Sequence, residues 1–311
     1  MPDMNILLVI CIALVAGLLM TRLMKVIGLP NVTGYLIIGI ILGPCCFKII
    51  NHTDLDGVFN IITEVALAFI AFSIGVEFKI SSFKRIGKNI FVITLTQALT
   101  TTLLVDAVLI TLALTTDLIP LPVAICLGAI ATATAPAATL MVVRQYKAHG
   151  PVTETLLPVV ALDDAVGLMV FSVSIALAEV FASGTPITFT AIVLEPLLEI
   201  VLSLAIGAAL GFILSLSTKI FKSRANRLTA CIAVVFAGCG ITMIEGLSLS
   251  SLLVCMMIGA IYCNFFKESD VIMEQCDRWT TPLFILFFII SGASLDIFNI
   301  IHVGVIGIVY V

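Results

Sequence analysis

Long apolar runs separated by short polar breaks extend along the whole chain. They fall near residues 5–27, 32–50, 57–78, 88–115, 121–145, 155–181, 190–219, 227–245, 249–266 and 279–296, and one more begins near 298. About 20 apolar residues in a helix cross the roughly 30 Å hydrocarbon core of a bilayer. The pattern predicts ten membrane helices and the start of an eleventh, so the fold class is an all-α polytopic membrane protein whose partner is the lipid bilayer.

The order of these runs contains a repeat. The third run reads LAFIAFSIGVEFKI (67–80) and the tenth PLFILFFIISGASLDI (282–297), each with an aromatic-rich stretch, a glycine and then an acid at the membrane edge. The second run, GYLIIGIILG (34–43), and the ninth, LLVCMMIGAIY (252–262), match more loosely. Each pair is an odd number of spans apart, so the two copies run in opposite directions through the membrane. Inverted repeats of this kind build many secondary transporters, with the site at mid-membrane between the copies. The expected division is residues 1–181 as a first repeat of six helices, 182–225 as a connector helix and loop, and 226–311 as the start of a second repeat that is incomplete at Val311.

Composition supports this class. Hydrophobic residues make up 61% of the chain and charged ones 11%, against about 25% charged in ordinary soluble domains. With the spans alternating in direction, Arg22, Lys25, Lys79, Lys84, Arg85, Lys88, Arg144, Lys147, Lys219, Lys222, Arg224, Arg227, Lys267 and Arg278 fall on one side, and only Lys48 falls on the other. Basic loops stay in the cytoplasm, which predicts a multi-pass protein of the cell membrane with its N-terminus outside. No basic stripe points to nucleic acid. The nine cysteines show no zinc or redox spacing, and His52, His149 and His302 are scattered near loops, so no cofactor is expected.

Two adjacent acids carry the chemistry. Asp163 and Asp164 lie deep in the sixth span, nine residues after Glu154 and fifteen before Glu179, with no charge between. An Asp at a helix centre facing lipid costs about 2.5–3.5 kcal/mol. The pair must therefore face protein or a water-filled cavity. Coupled carboxylates in a low-dielectric site resist double ionisation and trade protons with any cation that neutralises them. The bland reading is an Asp pair tied to helix ends or to a basic partner for assembly. Just before this span, the fifth contains GAIATATAPAATLMVV (128–143). Pro136 removes an N–H, and the hydroxyls of Thr132 and Thr134 can resatisfy the ladder, so Ala133, Ala135 and Pro136 mark either a plain kink or a break that exposes backbone to an ion. Asp106, toward the outer end of the fourth span, reads as a local polar contact or a snorkelling acid.

Together these segments resemble the monovalent cation/proton antiporter superfamily, in particular the sodium/proton exchanger family and its bacterial branch with an Asp-Asp pair. RLMKVIGLPNVTGYLIIGIILGP (22–44) is similar to the family's first core helices, ATATAPAATLMVV (131–143) to its first discontinuous helix, and LPVVALDDAVGLMVF (157–171) to its ion-binding helix. The resemblance implies an inverted-repeat antiporter fold with discontinuous helices, and a homodimer whose mobile core carries the site across the membrane. It also implies that Asp164 is the essential ion- and proton-carrying carboxylate, that Asp163 is the second one, and that Thr132 and Thr134 are the unwound stretch beside them. The only metal at the Asp pair is then the transported monovalent cation, with Na⁺ ahead of Li⁺ or K⁺, exchanged for H⁺. The chain would be a transporter and no enzyme. The basic partner that the family gives its first Asp has no counterpart up to Val311.

Three competing readings have distinct signatures. A potassium/proton antiporter or efflux system of the same superfamily differs in ion preference. A nonconducting module for dimerisation or regulation would use the membrane body without transport. An intramembrane aspartyl protease draws its acids from different helices, one within GxGD, whereas here they are adjacent and no GxGD occurs.

Overall fold

The computed structural model describes residues 5–51, 55, 57–76, 80–116, 118–134, 136–183, 194–244, 249–266 and 269–295. Eleven helices of ten or more residues follow one another among them: α1 (Ile6–Ile27), α2 (Asn31–Leu42), α3 (Val58–Val76), α4 (Ile80–Thr115), α5 (Leu121–Ile130), α6 (Pro136–Tyr146), α7 (Pro151–Ser183), α8 (Glu195–Ile220), α9 (Arg224–Thr242), α10 (Ser251–Phe265) and α11 (Ser269–Ala293). The segment near 298 lies outside the described residues.

The ends of these helices follow from local chemistry. Asn5 caps α1 by accepting from the Leu7 N–H at 3.0 Å, satisfying one of the donors a helix start leaves open. The helix ends at Gly28, whose φ of 78° is the left-handed conformation that glycine adopts without penalty. Ser250 caps α10 in the same way as Asn5, accepting from the Leu253 N–H.

Among the described residues five stretches are long and apolar enough to span a bilayer as single unbroken helices: α1, α3, residues Asn89–Thr115 of α4, Leu197–Ile220 of α8, and α9. Four of the remaining expected spans are shorter, divided or partly polar. α2 has 12 residues because the chain turns at Gly43 and Pro44, and α10 has 15. The fifth span is divided into α5 and α6, and α11 begins with a polar stretch containing Glu274, Asp277 and Arg278.

α3 sits at the centre, with Ala66 and every residue from Ala68 to Val76 buried. Phe69 meets Trp279 of α11 at a ring-centroid distance of 5.1 Å and Phe236 of α9 at 6.0 Å, both edge-to-face. At the periphery α1 exposes Leu7, Leu18, Leu19, Val26 and Ile27, the face that a bilayer would cover. The nine cysteines carry no disulfide. Cys231, Cys239, Cys255 and Cys276 are buried, and Cys11 and Cys46 are exposed.

Two helix crossings share one construction. A Cβ on Gly39 of α2 would fall on the Ile289 carbonyl of α11, and one on Gly292 of α11 would fall on the Leu36 carbonyl of α2. A Cβ on Gly75 of α3 would meet the Met256 carbonyl of α10, and one on Gly259 of α10 the Phe72 carbonyl of α3. In each of the four cases the carbonyl belongs to the residue three before the partner glycine. The second expected run thus packs on the tenth and the third on the ninth. α4, α5 and α7 pack chiefly on one another, and α8 lies against α10.

Candidate functional site

The fifth span is broken and not merely kinked. α5 ends at Ile130, where the Thr132 and Ala133 N–H groups bond the carbonyls of Ala129 and Ile130 in tight turns at 3.1 and 3.2 Å. Thr132, fully buried, also donates its hydroxyl to the Ala129 carbonyl. α6 starts on Pro136. A proline at the first position of a helix has no N–H to leave unsatisfied, so Pro136 favours a fresh start over a kink. Ala133 is exposed within the gap. Ala135 lies outside the described residues.

α7 runs past this gap. Pro158, five residues before Asp163, lies inside it and brings no N–H to the helix ladder. Asp163 is fully buried, and its Oδ2 accepts from the Thr134 hydroxyl at 2.9 Å. The backbone N–H of Thr134 and the Gln97 amide of α4 also face this carboxylate, while Oδ1 closes no hydrogen bond among the described residues. Neither ion pair found among those residues involves Asp163. One turn further along α7 is Gly167, where a Cβ would stand 3.6 Å from the Thr132 hydroxyl. Asp163 and Thr134 therefore meet at the break inside an apolar body, with Thr132 in the same unwound stretch. Asp164 occupies the next position of α7, rotated about 100° from Asp163; its side chain is outside the described set.

Two cavities lie at opposite ends of α6. The smaller, of about 280 Å³, opens at the gap and is lined by Thr132, Ala133, Gly167, Phe171 and Ser250 among others. The larger, of about 630 Å³, lies at the basic end of the bundle and is lined by Asn31, Tyr35, Met141, Arg144, Asp277 and Phe284 among others. None of the larger cavity's walls comes from the Asp163 and Thr134 side chains.

Two further acids have defined surroundings. The Asp106 Oδ1 is buried and closes no hydrogen bond among the described residues, and the carboxyl lies where a Cβ on Gly128 of α5 would stand. Asp277, which the sequence pattern gave no role, pairs with Arg144 at 2.6 Å. Gln97 was also missed. A lone amide in the apolar stretch of α4 was the available signal, because a buried amide needs partners.

Comparison with known proteins now decides the family. The sequence profile described as "Sodium/hydrogen exchanger, transmembrane" matches residues 10–311. The chain belongs to the sodium/hydrogen exchanger family. Two structures of the sodium proton antiporter MjNhaP1 from Methanocaldococcus jannaschii share its fold. One, determined at pH 8, is 21% identical with a TM-score of 0.69, covering 94% of this chain and 72% of that one. The other, an electron-microscopy structure, is 20% identical with a TM-score of 0.76, covering 96% and 73%. No curated protein sequence matches the chain. As a sodium/hydrogen exchanger family member it is a polytopic membrane antiporter of the cation/proton class.

Proposed function

We propose that this chain exchanges Na⁺ for protons across the cell membrane by alternating access, with Asp164 and Asp163 as the proton- and cation-binding carboxylates. The observation that carries the reading is Asp163, fully buried and clasped by Thr134 at the break of a discontinuous helix. An ionised carboxylate there is stabilised by the Thr134 hydroxyl and N–H. With no cation or proton on the pair, two adjacent negative charges would lie in a low-dielectric interior. One ligand therefore leaves as the other arrives, and that competition couples cation to proton.

The family supports the antiport class, and the likeness to MjNhaP1, a sodium proton antiporter, favours Na⁺ over Li⁺ and K⁺. The reciprocal glycine crossings support the division into inverted repeats at 1–181 and 226–311 joined by a connector. The one-sided basic residues support an N-terminus outside and a basic, cytoplasmic end. A homodimer follows from the family resemblance. No cofactor enters this scheme.

The test is flux through the protein reconstituted in vesicles. Adding Na⁺ dissipates an imposed pH gradient, and Asp164→Asn abolishes this. Undiminished Na⁺-driven proton movement in Asp164→Asn would sink the assignment. Equal or faster movement with K⁺ makes the protein a potassium/proton exchanger. A wild-type protein that dimerises but moves no ion is a nonconducting module.

A further inference from the structure

The last residues of α6 each hold a different neighbour. Arg144 Nη1 donates to Asp277 Oδ1 of α11 at 2.6 Å, and Gln145 Oε1 accepts from the Asn31 N–H, which opens α2, at 2.9 Å. The other end of α6 begins two residues after Thr134, the residue that clasps Asp163. α6 is thus a rod of 11 residues, roughly 16 Å long, with the carboxylate clasp at one end and the ion pair at the other. Between those ends it packs on α2, α3 and α7, with Ala137 and Leu140 buried in the core. The apolar middle slides without breaking a hydrogen bond, so the polar fastenings fix where its two ends lie.

The exposure of the pair suits a fastening that opens. The Arg144 and Asp277 side chains are 26% and 38% exposed, and they line the 630 Å³ cavity at the basic end. Ion pairs with this access to water are weak and exchange readily. The other ion pair among the described residues, Arg278 with Glu274, joins two positions of one helix and links no separate elements.

We infer that Arg144 and Asp277 form a positioning pair that fastens α6 to α11 when the cytoplasmic cavity is open. The pair holds Thr134 against Asp163 in that state and opens once in each transport cycle. This rests on the exchanger reading above. Breaking the pair lowers the population of the state that takes cation from the cytoplasm, and apparent affinity falls by that fraction. Binding at the cytoplasmic face weakens while the maximal rate is kept.

The experiment compares Arg144→Glu, Asp277→Arg and the double reversal in the full chain, reconstituted in vesicles, with Glu274→Gln as control. Each single reversal should raise the KM for cytoplasmic Na⁺ by roughly three- to tenfold, with the maximal rate within about twofold of wild type. The double reversal should restore KM, and Glu274→Gln should leave it unchanged. Single reversals without a KM change, a maximal rate that falls at constant KM, or a double reversal that fails to restore KM would each overturn the proposal. Amide hydrogen exchange over residues 136–146 supplies a readout independent of flux: faster in the single reversals and restored in the double. Absence of any cation-driven flux in the wild type sinks the exchanger reading instead, and equal exchange protection in all four variants then overturns the fastening as well.

Discussion

The glycine crossings and the broken helix solve opposite problems with the same apolar alphabet. At α2 with α11 and at α3 with α10, backbone lies on backbone and no space remains for a single added carbon. At the break the neighbouring segments are joined by side-chain contacts: Thr134 to Asp163, Thr132 to Ala129, and Arg144 to Asp277 at the far end of α6. Lipid tails are as apolar as leucine, so helices in a bilayer associate through close packing and polar contacts more than through expulsion of water. Backbone contact offers one tight fit and no second arrangement. Side-chain hydrogen bonds can be exchanged for others at a cost of about 1 kcal/mol. The crossings are accordingly the part that keeps its shape, and the break is the part that can change partners.

The sharpest way to break this comparison is to add one carbon to a crossing. Gly75→Ala places its Cβ on the Met256 carbonyl, and neither backbone can yield without moving its helix. The expected loss is about 3 kcal/mol, at the upper end of the overpacking range, read as a fall in Tm of the purified protein in detergent. Gly39→Ala should fall by a similar amount if the two crossings are equivalent. Wild-type melting in one and collapse in the other would show that the reciprocal geometry does not carry equal load.

The next effect belongs to the break. Thr134→Val keeps the shape of the side chain but removes the hydroxyl that Asp163 accepts from. A hydrogen bond to a charged group contributes about 1.5–3 kcal/mol. Cation binding measured by calorimetry should therefore weaken by about tenfold or more, while Tm moves little. Thr134→Ser should recover most of the affinity. A large Tm drop with unchanged cation binding would make the clasp a structural cap, which is the bland reading of the Asp pair.

How much of this was legible in the sequence depends on distance along the chain. The break was legible because its causes are local: Pro136 and two threonines within five residues. The burial of Asp163 was legible from the apolar run around it. The repeat was visible as matched runs, yet that α2 packs on α11 and α3 on α10 was not, because neither run carries a mark naming its partner. Arg144 and Asp277 are 133 residues apart, and each reads alone as an ordinary charge at a helix end. Asp106 is a similar case: its position toward a helix end suggested a local polar contact or snorkelling, and the gap that Gly128 leaves on another helix for its carboxyl carries no mark in the sequence near Asp106.

The smallest expected effect is the most discriminating, because it tests whether glycine means the same thing in both regions. Gly167 stands in the middle of α7 beside the break, and a Cβ there would meet the Thr132 hydroxyl at 3.6 Å, an ordinary van der Waals distance. Replacing glycine by alanine inside a helix favours the helix by about 0.5–1 kcal/mol, so Gly167→Ala should melt at or slightly above the wild-type temperature. The same Cβ enters the wall of the 280 Å³ cavity and touches a threonine beside the clasp. Any change should therefore appear in transport rate rather than in stability. A loss of Tm comparable to that of Gly75→Ala would mean that the break is packed as tightly as the crossings. The division between a fixed part and an adjustable part would then fail at the site itself.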